Sequence, residues 1–148
     1  HSLLVLLYTG MRLGELASMK IESEDNYTFI TCETEKTRKG YATIRRRIPI
    51  SPMFRKVWDM IDFEKAKAAS SKTLSDTIKR VFPERHVHEL RYTFISRCKE
   101  CGCNLELVML WDGHEFDKDV RTSKVDRGYT QYSNEIYFGD IEKVNYEL

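Results

Sequence analysis

Apolar positions fall into blocks of two different periods. Ser2–Leu7 is almost continuously apolar and reads as a buried helix that breaks at Thr9-Gly10. Leu13, Leu16 and Met19 then give Arg12–Lys20 a helical spacing. Tyr27–Thr34 and Tyr41–Ile50 instead alternate and are rich in β-branched and aromatic residues, which predicts two strands. The polar, Gly-ended segment Glu35-Lys36-Thr37-Arg38-Lys39-Gly40 suits a hairpin connection between them, and Pro49 and Pro52 close the sheet region.

Helical spacing returns through Phe54, Val57, Trp58 and Ile61 in the stretch from Pro52 to Phe63. Ser70-Ser71 mark a break before a short helix over Thr73–Phe82, which Pro83 stops. His88–Cys101 is predicted helical, with Leu90, Phe94 and Ile95 on its apolar side and Gly102 as its cap. Leu105–Trp111 reads as an apolar helix ending at Gly113. Residues 115–128 are polar and read as a loop, and Glu135–Asn145 reads as a weakly amphipathic helix. The expected class is α+β, a mostly α-helical domain with a small antiparallel β-sheet.

A length of 148 residues suits one domain with one core, and the apolar and aromatic shares are those of a globular chain. No apolar run approaches the ~20 residues of a membrane-spanning helix. The start at His1 suggests a fragment of a longer polypeptide, and a cytoplasmic setting is expected. Net charge is only +1, but its distribution is uneven. Lys36, Arg38, Lys39, Arg45, Arg46 and Arg47 form a basic stretch without an acid, whereas Glu135, Asp140, Glu142 and Glu147 crowd the end. An anion-binding face is one reading of that asymmetry, and a solvated charged hairpin is the other. Cys98, Cys101 and Cys103 fall within six residues. They read as reduced packing thiols. A zinc site completed by His114 is the alternative, although no second CxxC supplies the usual ligand spacing.

Four segments carry candidate chemistry. In Thr9-Gly10-Met11-Arg12-Leu13-Gly14-Glu15, Glu15 lies three residues after Arg12 and can orient its guanidinium. In His88-Glu89-Leu90-Arg91, the histidine and arginine share a helix face and can reach one phosphate. Asp112-Gly113-His114 places a histidine after a helix end, and Gly128-Tyr129-Thr130-Gln131-Tyr132 places two tyrosines after a polar loop. Each taken singly is as readily a surface pair or a packing residue.

Their order along the chain resembles that of the tyrosine recombinase (phage integrase) family. In that family T-G-x-R-x-x-E is followed by a hairpin Lys-Thr, H-x-L-R-H-T, L-G-H and Y-x-H. TGMRLGE, Glu35-Lys36-Thr37, HELRYT, DGH and YTQ match them in sequence, and Arg47-Ile48-Pro49-Ile50 is similar to the family's R-x-I-P-L run.

The resemblance implies a catalytic domain of the DNA breaking-rejoining type that cleaves and rejoins strands through a 3′-phosphotyrosyl intermediate. It implies that Arg12 and Arg91 clamp the scissile phosphate, that Lys36 protonates the departing 5′ oxygen, and that His88 is a general acid/base. His114 is implied to contact the phosphate, Tyr129 to be the nucleophile, and Glu15 to support the constellation. Arg38, Lys39, Arg45, Arg46 and Arg47 are expected to contact the DNA backbone.

No metal or other cofactor is called for. The implied partners are double-stranded recombination sites, a DNA-binding domain preceding this one, and further protomers in a synaptic multimer, in a prokaryotic nucleoid-associated setting. The last helix, through Tyr137, Ile141 and Val144, is expected to dock either on a neighbouring protomer or on its own domain. Tyr92 and Asp112 depart from the family pattern, and Tyr132 is a rival nucleophile. A type IB topoisomerase, which uses the same residue types, and a non-catalytic DNA-binding relative are the alternative readings.

Overall fold

The computed structural model describes residues 1–34, 44–113 and 132–146. The hairpin connection and the polar loop expected at 115–128 therefore lie outside the described residues. Helix α1, Ser2–Thr9, ends where Gly10 turns left-handed at φ 64°, and the Gly10 N–H bonds back to Leu6 O at 3.0 Å. Thr9 Oγ1 donates to Val5 O at 2.6 Å and accepts from Met11 N at 3.3 Å, which fixes the exit of the chain.

The next turn is not α-helical. Leu13–Ser18 is a 3-10 helix, and the chain is already a strand at Lys20. Leu13, Leu16 and Met19 are spaced by threes, a repeat that suits a three-residue turn as well as an α-helix.

The sheet has three antiparallel strands in the order β1 (Lys20–Glu24), β2 (Tyr27–Thr34) and β3 (Ile44–Pro49). Ile21 pairs with Ile30, and Ile30 with Ile48. β1 and β2 are joined by Asp25-Asn26, both at positive φ, the backbone of a tight two-residue hairpin turn. β1 is one of the two edge strands, with Lys20, Glu22 and Glu24 along it, a charged edge that discourages pairing with another chain.

Three short helices follow: α2 (Pro52–Val57), α3 (Phe63–Ala68) and α4 (Ser71–Val81). Ser51, Asp62 and Ser70 cap them by accepting backbone N–H bonds. Two helices complete this part, α5 (Glu89–Glu100) and α6 (Leu105–Asp112). The last helix is Asn134–Gly139, shorter than expected, and a 3-10 turn continues it over Asp140–Lys143. The class is mixed helix and sheet, with one small antiparallel sheet. No described helix is long and apolar enough to cross a membrane.

Two apolar clusters hold the chain together. One joins α1, the sheet and α2–α4 around Val5, Ile30, Ile48 and Phe54. The other joins α5, α6 and the closing segment around Phe94, Trp111, Ile141 and Val144. Ile141 and Val144 are each 1% exposed, and Tyr137 donates its hydroxyl to Arg47 O at 2.7 Å. The face of the last helix thus docks on its own domain.

The two clusters meet where α1 packs on α5 and β3 on α6. A Cβ on Gly10 would stand 2.5 Å from Phe94 Cδ1, so α1 and α5 approach this closely only with glycine there. Gly10→Ala is expected to cost about 2–5 kcal/mol, combining left-handed backbone strain with overpacking. Urea unfolding of the variant checks this.

Candidate functional site

The seam between the clusters is lined with charge. Glu15, 4% exposed, is its hub. One carboxylate oxygen accepts the Arg12 backbone N–H at 2.7 Å, and the other accepts Arg12 Nη1 at 3.2 Å. Arg46 Nη2 also donates to this carboxylate, and the Cys32 thiol stands 3.9 Å from it. Burial pushes the Cys32 thiol up to about 11, against the pull of Arg46, so it stays a protonated donor to Glu15. The capping arrangement explains the local fold: Glu15 reaches back over its own 3-10 turn to hold the residue at its start.

Arg46 is 3% exposed, and its Nη1 donates to Trp111 O at 2.7 Å. The expectation that Arg46 contacts DNA is therefore corrected. Both terminal nitrogens of its guanidinium bond within the protein, tying β3 to the end of α6. Gly113 is built around it, since a Cβ there would fall 2.5 Å from Arg46 Cδ.

The neighbouring arginines differ from it. Arg45 is exposed and pairs with Glu22. Arg47 pairs with Glu24 at 2.9 Å and lies over the rings of Phe29, Tyr137 and Phe138 at 5.1–5.6 Å, a stacked role more than a free one.

Arg91 enters the same seam from the inner face of α5, which runs Arg91, Phe94, Cys98. Leu90 and Ile95 are only partly buried. Arg91 Nη1 donates to Gly10 O at 2.6 Å, and Nη2 lies 3.7 Å from Asp112 Oδ1. Burial pulls the Arg91 guanidinium below its usual range. Asp112 and Glu15 oppose that shift, and the nearby charges of Arg12 and Arg46 add to it. Asp112, the departure from the family pattern, is thus a buried carboxylate facing a buried arginine. The side chains of both are 2% exposed, whereas that of Arg12 is 36% exposed. Of the three arginines, Arg12 is the one whose guanidinium is open to solvent. Among the described residues, three guanidinium groups meet two carboxylates at the seam.

His88 caps α5 and is exposed, edge-on to Tyr92 at 5.0 Å between ring centroids. It lines a cavity of about 370 Å³ together with Met11 and Leu13, the residues on either side of Arg12. Lys79, Arg85 and His86 add basic groups to that cavity's wall.

Arg12, Glu15 and Arg91 are thereby brought together from segments up to 79 positions apart, and His88 lines the cavity next to the neighbours of Arg12. Lys36, Arg38, Lys39, His114 and Tyr129 lie outside the described residues. Tyr132 is described, and its hydroxyl donates to Glu106, which with burial pushes its pKa up to about 12. Glu106 is in the first turn of α6 and Asp112 at its end, about 9 Å apart along the axis. Tyr132 is thus engaged at the end of α6 away from the arginines. Cys98, Cys101 and Cys103 are free thiols, and among the described residues no group of three or more His, Cys, Asp or Glu could hold a metal ion.

Sequence reasoning missed Arg46 as a member of this site and gave Asp112 no role in it. Both carried a signal. Arg46 alternates with Ile48 on the buried face of β3, and Asp112 follows Val108 by four on the buried face of α6. No protein-family model matches the chain, and neither curated proteins nor solved structures give a match.

Proposed function

We propose that the chain is the catalytic domain of a site-specific tyrosine recombinase, of the DNA breaking-rejoining fold type, acting on double-stranded DNA. The observation that carries this reading is the convergence of Arg12 and Arg91 on one seam, with Glu15 orienting the first and Gly10 O the second. Among the described residues, guanidinium groups outnumber carboxylates at this seam, which suits the anionic phosphodiester. His88, which lines the cavity beside Met11 and Leu13, is the proposed general acid/base.

In this mechanism Arg12 binds the phosphate, and Arg91 adds its field from the buried side, where low dielectric strengthens it. Tyr129 gives its proton to His88, the proposed general base, and attacks phosphorus, forming a 3′-phosphotyrosyl ester as the bond to the 5′ oxygen breaks. The 5′ oxygen departs with a proton from Lys36. A DNA hydroxyl reverses the step without ATP, because one phosphodiester replaces another. Arg38, Lys39 and Arg45 contribute sequence-neutral contacts to the backbone, weakening as salt rises. Several protomers on two DNA sites carry out the exchange of strands.

The test is a nicked suicide substrate incubated with the parent polypeptide. A denaturation-resistant protein–DNA adduct is expected, abolished by Tyr129→Phe and retained by Tyr132→Phe. An adduct that survives Tyr129→Phe overturns the nucleophile, and no adduct on the protein's own site favours a DNA-binding module without catalysis. Relaxation of a supercoiled plasmid without exchange between two marked duplexes would favour a topoisomerase.

A further inference from the structure

The end of α5 holds a pair of cysteines that the proposed chemistry does not use. Gly102 is left-handed at φ 73°, its N–H bonds to Lys99 O at 3.0 Å, and the Cys103 N–H bonds to Cys98 O at 2.9 Å. These two bonds define the helix-ending motif in which the residue after the glycine folds back over the last helical turn and its side chain touches that turn. Here the two residues at that contact are both cysteines, with free thiols 0% and 5% exposed. A backbone N–H···O=C bond between two residues holds their α-carbons within the separation of about 4.4–6.8 Å that a disulfide spans.

Cys101 is nearby but differently engaged. Its sulfur accepts from Asn145 N at 3.4 Å and lies 3.6 Å from Asn145 O.

We propose that Cys98 and Cys103 form a reversible dithiol–disulfide couple, an oxidative modification site for hydroperoxides that staples the end of α5. Cys103, 5% exposed against 0% for Cys98, is the sulfur that a small peroxide reaches first. Cys98 lowers the Cys103 thiol, while contact with Cys103 and burial raise that of Cys98, which makes Cys103 the attacking sulfur. Its thiolate takes the terminal oxygen of hydrogen peroxide, giving a sulfenic acid and hydroxide. The Cys98 sulfur then attacks the sulfenic sulfur, the S–S bond forms, and the hydroxyl leaves as water. In sum two thiols and one peroxide give one disulfide and two waters. A dithiol reductant reverses the bond by exchange. Closing it also withdraws the Cys103 thiol from the Asp140 carbonyl, 3.5 Å away.

The proposal is independent of the recombinase reading, and its test needs no DNA. The full chain is treated with hydrogen peroxide, and its thiols are counted after denaturation and mapped by peptide mass spectrometry. Two of the four thiols are expected to disappear, joined as a Cys98–Cys103 link, with Cys32 and Cys101 still alkylatable. Dithiothreitol is expected to restore all four. Cys101→Ser should leave the link intact and Cys103→Ala should abolish it. Four surviving thiols in the folded wild type, a link through Cys101, or a link only between chains overturns the proposal.

Discussion

Glu15→Ala is expected to destabilise the fold by about 3–5 kcal/mol, the usual consequence of leaving a buried guanidinium without its carboxylate. Arg46 is 3% exposed and spans the two apolar clusters, from Glu15 on one side to the Trp111 carbonyl on the other. Once the carboxylate is gone, the cation must either stay desolvated or pull β3 away from α6. Urea unfolding read by tryptophan fluorescence measures the loss, since Trp111 is wholly buried at the junction. The double variant Glu15→Leu/Arg46→Met, which removes both charges and keeps the volume, is expected to recover most of it. A loss below about 1 kcal/mol would show that Arg46 escapes to solvent at little cost.

Arg12→Ala should behave oppositely. Arg12 is the more open member of the cluster, with its side chain 36% exposed, and Glu15 keeps Arg46 when it is removed. The expected stability change is about 0–1 kcal/mol. The rate of adduct formation on the suicide substrate is expected to fall about 10²–10³-fold, the scale of losing one preorganised stabiliser of transition-state charge. The pair of variants separates holding the seam from using it. Equal damage to stability and rate in Arg12→Ala would make the arginine a structural residue and withdraw support from the phosphate-binding reading.

Much of this architecture was legible in the chain. Leu74 and Ile78, with Pro83 beyond them, mark α4, and the alternation of 27–34 marks β2. β1 was not legible, because Lys-Ile-Glu-Ser-Glu buries almost nothing and offers no two-fold apolar pattern. Its trace is Asp25-Asn26, two residue types that tolerate positive φ. The stretch 12–20 read as one helix because its apolar residues recur every third position, which a 3-10 turn satisfies as well. Arg46 was hidden by its company. A run of three arginines looks like a solvated surface, yet a strand turns each successive side chain to the opposite face, so the middle one is carried inward. Arg12, Glu15, His88 and Arg91 were legible through their resemblance to a family pattern, and their meeting depends on the fold.

That meeting has a temporal side. Arg91 bonds to a carbonyl 81 positions earlier in the chain, and Arg46 to one 65 positions later. Contacts this distant along the polypeptide close late, since large loops must be ordered before they contribute. During synthesis the segment bearing Arg12 emerges long before α5 and α6, and until they arrive its charges have only local company. A half-made chain therefore carries the basic groups without the assembled seam, and the proposed phosphate grip is complete only after α5 and α6 have docked.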